Sequence, residues 1–478
     1  MLSSCASTNP RLRQLSYEDK LTYYSIEKIA TAVQLEEYLS LSPDQRGEWL
    51  RKLWKNLDPT PGTDINEFKE EHERRVDYAV TNFKTIFGNR PWDERGKVYI
   101  LYGEPDERSL TIEASTKDYK MGRKDLNEQG EMIGKREKVM REKMDIGVSL
   151  DTEQEFYKTC GEVWTYYKYN LTFQFEDENF VGYYTLVPYT KSDGTTETAQ
   201  EVDVKKAISV EKQREMYQHD YGGEALDFAF DLLKFKGEQN NYDIDLNLGL
   251  PLDNLARDDS NNVRFLRRIT ILDEELNQVA SDSIISTKPI NKELESGYLL
   301  IEQWQNNLPP GKYTLALEVK DLLSKKIGIY KKEFILPAYA VPGTQEISNL
   351  AMASMIRPAK RFEAKYVRHG LVVLPMPSRV YSPDEMVYFY YEVYNLRKDD
   401  KGKTRYTVQY SLVDYKNKKE IPFYEPKTFE EEKSDIFQYA RIDAHSVPPG
   451  EYALVVRVTD VNRNKEKVTL TGFKIANR

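Results

Sequence analysis

The chain is poor in the residues that build local metal and redox sites. It has two cysteines, Cys5 and Cys160, and four histidines, His72, His219, His369 and His445, in 478 residues. No two of the six lie within five positions of one another, which excludes a local Cys/His zinc cluster and a haem-attachment motif. One pair of cysteines is also too few for a disulfide framework. No apolar run approaches the roughly 20 residues of a spanning helix. Positive charge is in deficit: 69 Lys and Arg stand against 78 Asp and Glu, a net charge of −9. Such a chain lacks the global field that holds a nucleic-acid backbone, so no nucleic-acid partner is expected.

The abundant residues are aromatic. Tyr 34, Phe 18 and Trp 5 make up 12% of the chain, and Tyr and Phe favour strands. The length exceeds what one hydrophobic core organises, so two to four domains are expected.

Residues 16–88 read as helical. Ser16-Tyr17-Glu18-Asp19 resembles a capping box and opens a stripe through Leu21, Tyr24, Ile29, Val33 and Leu39. Ser42-Pro43 starts a second helix bearing Trp49, Leu53 and Trp54. Asp58-Pro59-Thr60-Pro61-Gly62-Thr63 breaks the chain. A third helix follows from Asp64, with His72 in its apolar stripe and Gly88 placed to end it. Lys97–Tyr102 reads as a short strand stopped by Gly103-Glu104-Pro105-Asp106, and residues 117–145 read as an exposed mixed-charge excursion. Strands are expected again at Val163–Tyr169, Leu171–Phe175 and Val181–Val187.

From about residue 222 short strands alternate with turns, the pattern of β-sandwich modules. Leu308-Pro-Pro-Gly-Lys-Tyr-Thr-Leu315 recurs as Val447-Pro-Pro-Gly-Glu-Tyr-Ala-Leu454, an offset of 139 that also relates Val319 to Val458, Asp321 to Asp460 and Phe334 to Phe473. Shared register at that many positions argues for two homologous sandwiches. The expected fold is therefore α+β, an N-terminal helical and mixed domain followed by two tandem immunoglobulin-like antiparallel β-sandwiches. The expected boundaries are residues 1–15 for a lipid-attachment site and tether, 16–221, 222–340 and 341–478.

Several stretches resemble the GWxTD domain-containing proteins of bacterial envelopes. They are Trp54 with Asp58–Thr63, Asn66-Glu67-Phe68, Arg74–Ala79, Arg95–Asp106, Glu162-Val163-Trp164, Pro375–Arg379 and Tyr390–Leu396. The naming tetrapeptide is not intact, since Asp93-Glu94 follow Trp92 where Thr-Asp would stand. The resemblance implies a bacterial envelope location and supplies no catalytic residues. It gives weight to Leu2-Ser3-Ser4-Cys5, which looks like a lipobox with Cys5 as the lipidated residue, although no basic or apolar leader precedes it.

Two candidate sites remain. Glu104, Asp106 and Glu107 crowd one turn and offer carboxylates for acid–base or metal chemistry, although strand-terminal turns favour such residues for conformational reasons. Trp92, Tyr166, Tyr183, Tyr390 and Tyr394 would form interaction faces if exposed. Asp93, Glu94 and Arg95, with Arg74, Arg75 and Asp77, are expected to build an ion-pair network. No cofactor is called for and no metal ligand set is assigned. The leading expectation is a non-enzymatic, lipid-anchored docking subunit for other envelope proteins, attached to the membrane through Cys5. The alternatives are a carbohydrate-active or other hydrolase using the Glu104–Glu107 turn, and a glycan- or peptide-binding lipoprotein.

Overall fold

The structure is a computed structural model that describes residues 9–85, 90–115, 156–169, 171–177, 182–187, 189–190, 196–197, 224–291, 297–338, 343–416 and 419–477. The chain divides into two compact units, Met1–Tyr217 and Gln218–Arg478. Cys5 and the stretch 117–145 lie outside the described residues.

Among the described residues the first unit holds six α-helices, α1 (Pro10–Gln14), α2 (Tyr17–Ile26), α3 (Ala32–Ser40), α4 (Pro43–Leu57), α5 (Glu67–Asn82) and α6 (Glu94–Tyr102). Ser16 caps α2 by accepting from the Asp19 amide, and Ser42 and Gln45 form a capping box at α4. The apolar stripe from Leu21 to Leu39 is not one helix. A second capping box, Thr31 with Gln34, restarts the chain after α2, so the stripe is shared between α2 and α3. Asn66 caps α5, two residues after the expected start.

Lys97–Tyr102 forms most of α6 rather than a strand. Asp93 accepts from the Arg95 amide to cap it, and Gly103 ends it at φ 77°, the left-handed region where a side chain is disfavoured. The run is buried nearly all round, and a short apolar run with no polar face carries no period to separate helix from strand. Gly96 sits against Trp92; a Cβ there would lie 2.5 Å from the indole. Beside the helices lies an antiparallel sheet in the order β1 (Glu107–Ser115), β2 (Phe156–Tyr166), β3 (Leu171–Asp177), β4 (Thr185–Val187). Trp164, Phe173 and Phe175 are fully buried and pack in one core with Phe83 and Tyr99.

The second unit contains two antiparallel sandwiches. The first has one sheet of β5 (Ala229–Lys236), β6 (Tyr242–Pro251) and β9 (Leu299–Leu308) in the order β9-β6-β5. Its other sheet runs β8-β7-β10-β11, where β7 is Asn262–Leu272, β8 Gln278–Pro289, β10 Gly311–Asp321 and β11 Ile327–Leu336. In the second sandwich, β14 (Met386–Tyr394) pairs with β12 (Ala351–Pro358) on one side and β16 (Ile436–Asp443) on the other, and β12 pairs with β13 (Leu371–Pro375). Opposite lies the sheet of β15 (Thr404–Asp414), β17 (Gly450–Asp460) and β18 (Lys465–Ile475).

The Pro-Pro-Gly repeat has the same geometry in both sandwiches. Tyr313 Oη donates to the Pro309 carbonyl at 2.9 Å, and Tyr452 Oη donates to the Pro448 carbonyl at 2.8 Å. Tyr313 stacks on Phe334, and Tyr452 lies tilted against Phe473. The two aspartates are fully buried and accept from distant amides: Asp321 from Ala256 and Asp460 from Arg397, at 2.7 and 2.8 Å.

Candidate functional site

The carboxylate turn follows α6 directly and lies on the surface, with Glu104, Asp106 and Glu107 all exposed. Each is held by a tyrosine. Tyr99 Oη donates to Glu104 at 3.1 Å, the Tyr167 amide to Asp106 at 2.7 Å, and Tyr167 Oη to Glu107 at 2.5 Å. Tyr166 Oη donates to the Gly103 carbonyl at 2.9 Å, so the end of β2 pins the whole turn. Glu104 thus folds back onto α6, while Asp106 and Glu107 tie the turn to the end of β2. Among the described residues no group of three or more His, Cys, Asp and Glu side chains is placed to hold a metal ion.

Deeper in the same unit is a buried cluster of charges. Arg95 lies between Asp93 and Glu162, at 2.8 and 2.7 Å, and Arg108 reaches Glu162 from the other side at 2.8 Å. Trp164 Nε1 also donates to Glu162, at 2.9 Å. The Arg95 guanidinium lies over the Tyr184 ring, 3.5 Å from its centroid. Burial disfavours the Glu162 charge, but the Arg95 and Arg108 guanidinium groups outweigh it and hold the carboxyl below its ordinary range. The expected network is replaced by other pairs: Arg95 is held by Asp93 and by Glu162 of β2, Glu94 pairs with Lys97, and Arg74 and Arg75 of α5 pair with Glu71. Arg75 pairs with Glu71 and donates to the Leu101 carbonyl at 3.0 Å, placing a cation at the C-terminal end of α6. Every charge in this cluster has an opposite partner, which makes it a brace between helices and sheet.

The seam between the sandwiches holds a second cluster. Arg368 bridges Asp245 of β6, at 3.0 Å, and Glu392 of β14, at 3.1 Å, with its guanidinium 3.6 Å from the Phe235 centroid. Tyr390 and Tyr394 donate to the two oxygens of Glu392 at 2.8 and 2.7 Å, and Gln305 donates to Asp245 at 2.9 Å. Arg379 pairs with buried Asp231 at 2.5 Å. Tyr366 Oη reaches back to the Ile301 carbonyl at 2.9 Å, and the Lys236 amide donates to Tyr394 Oη at 3.0 Å. Burial pushes the Asp231 and Asp245 carboxyls up, with Arg379 and Arg368 pulling the other way. A cavity of about 10 Å³ remains at the seam, beside Asp245, Gln303, Tyr366 and Arg368. Asn247, 2% exposed, also lines it, and its Oδ1 has no hydrogen-bond partner among the described residues. That volume suits a single water.

The aromatic residues expected at an interaction face are elsewhere. Trp92, Tyr166, Tyr390 and Tyr394 are 2%, 2%, 0% and 6% exposed. The first two belong to the core of the N-terminal unit, and the other two close the seam. Tyr183 alone is half-buried. The seam charges Asp231, Asp245, Arg368 and Glu392 were not singled out by the sequence reading. Their signal is a charge inside an apolar strand, as in Phe230-Asp231-Leu232 and Ile244-Asp245-Leu246. Arg379 and Glu392 do fall in the stretches that carry the family resemblance.

No family model matches the chain, and no curated protein does. Among solved structures, a trypsin-activated alpha-2-macroglobulin from Escherichia coli is similar over 78% of this chain at 10% identity, with a TM-score of 0.19. This chain spans 20% of that one, and a likeness at this score carries no argument about fold or function.

Proposed function

We propose that the chain is a non-enzymatic bacterial envelope protein, lipid-anchored through Cys5, that serves as a structural, docking subunit for other envelope proteins. The resemblance to GWxTD domain-containing proteins motivates the location. The observation that supports the role most is the seam. Two sandwiches joined by a short linker are expected to move against each other unless their interface is unusually well secured. Here Arg368, bonded to both sandwiches, and the buried Asp231–Arg379 pair commit charged side chains to holding them in one arrangement. A fixed tandem of sandwiches is what a spacer or docking platform requires. The carboxylates that a hydrolase would use are exposed and tied to Tyr99 and Tyr167, so no specific observation favours that reading.

Cell fractionation tests the proposal. The full chain is expected in the membrane fraction, released by mild detergent together with envelope proteins that crosslink to it, and Cys5→Ala is expected to move it to the soluble fraction. Recovery from the cytosolic fraction without a partner would sink the reading.

A further inference from the structure

One long strand has an open side. β8 spans Gln278–Pro289, pairs with β7 along one edge, and has no described strand along the other. The ladder fixes which groups point outward. Ile290 donates to the Asn261 carbonyl in the register of this pair, so the even-numbered residues of β8 bond to β7. The N–H and C=O groups of Ser281, Ser283, Ile285 and Thr287 therefore face away from the sheet, and all four residues are exposed. Beyond the irregularity at Gln278/Ala280 the strand has no bulge, and its one proline is its last residue. Two of the usual devices that blunt an edge are missing from its length.

We infer that β8 is a self-pairing edge: two copies of this chain join antiparallel through β8, related by a twofold axis at Ile285. The charges select both the occupant and the register. Antiparallel pairing places residues of equal parity opposite each other, and a twofold axis at Ile285 sets Asp282 of one copy against Lys288 of the other, twice. These are non-hydrogen-bonded positions, where cross-strand side chains approach most closely. Asp282 and Lys288 are each about a third exposed, so each has a free flank. Asp282 is already paired with Arg267, and Lys288 with Glu302 at 3.3 Å. Joining them gives a row of alternating sign, Arg267, Asp282, then Lys288 and Glu302 of the second copy. An unrelated strand would have to meet the same two charges with the opposite pattern. Around the axis, Ile285 meets its own counterpart, Ser283 faces Thr287, and Ile284, 44% exposed, comes to lie beside Ser286. Pro289, which has no N–H, ends the ladder.

The test uses the full chain carrying Cys5→Ser and Cys160→Ala, studied by sedimentation at increasing concentration and at low and high salt. A dimer that weakens at least tenfold with added salt is expected. Ile285→Pro removes an outward N–H that the monomer does not use, and should leave a monomer with unchanged circular dichroism. In the same background, Ile285→Cys should form an interchain disulfide under mild oxidation. A chain monomeric at every concentration overturns the inference. So does a dimer that survives Ile285→Pro, or one that Ile285→Cys fails to crosslink.

Discussion

His72 carries the clearest consequence at the scale of single residues. It is 5% exposed, stacked on Phe68 and packed against Trp54, and its Nε2 has no hydrogen-bond partner among the described residues. Burial, aided by the Arg75 charge, holds its pKa down at about 4 against the ordinary 6.5. A histidine depressed in the folded state favours folding only while neutral. Its contribution is complete above pH 6.5 and is lost as pH falls from there towards 4, to an extent of about 3 kcal/mol. Thermal melts between pH 7 and pH 4 should therefore show a steeper loss in the parent chain than in His72→Leu. Equal slopes would mean that His72 is protonated without cost. His72 was readable from the sequence as a core residue, because it sits in the apolar stripe of α5. The burial of Tyr390 and Tyr394 was not readable. On β14, Phe389, Tyr391 and Val393 fill the sandwich core while Tyr390, Glu392 and Tyr394 fill the seam, so both faces are covered. Alternation identifies an exposed face only when one face meets water.

At the scale of elements, the repeated Pro-Pro-Gly strand is the most predictive feature. The same tyrosine-to-carbonyl bond closes the entry to β10 and to β17. Tyr313→Phe and Tyr452→Phe should each cost about 1 kcal/mol, the net worth of one such bond. Denaturant midpoints of the two variants would check this, and the effects should add in the double variant because the sites belong to different sandwiches. A loss confined to one site would mean that the repeat is alike in sequence but not in energetics. This repeat was visible because a turn of fixed chemistry precedes an alternating strand. Helix α6 was misread for the opposite reason: Val98-Tyr99-Ile100-Leu101-Tyr102 has high strand propensity and no polar face. The Asp93 cap, the Gly103 stop and the close packing of Gly96 on Trp92 override that propensity.

At the scale of the whole molecule, the seam makes the C-terminal unit one body with two cores. The first core lies between Leu226 and Leu336, the second between Leu350 and Ile475, and a smaller cluster that includes Phe235, Ala353 and Tyr390 joins them. Arg368→Ala would leave Asp245 and Glu392 facing each other in a buried setting without their shared cation. Removing one partner of a buried ionic group costs about 3–5 kcal/mol. The two sandwiches should then melt separately in calorimetry, where the parent chain melts them together. A single transition in Arg368→Ala would show that packing, and not charge, couples them. None of this coupling was legible from the sequence, since Asp231, Asp245, Arg368 and Arg379 are brought together over more than a hundred residues.

The aromatic core of the N-terminal unit also sets how the molecule handles light. Of the five tryptophans, Trp49, Trp54, Trp92 and Trp164 lie in that unit, and only Trp304 lies in the other. Trp164 is fully buried between Phe83 and Phe175, with the Arg108 cation 4.8 Å from its ring. Excitation at the red edge of the ultraviolet band is therefore absorbed mostly by the N-terminal unit. Emission from the C-terminal sandwiches comes from a single indole, so each half of the chain carries its own optical signature without an added dye.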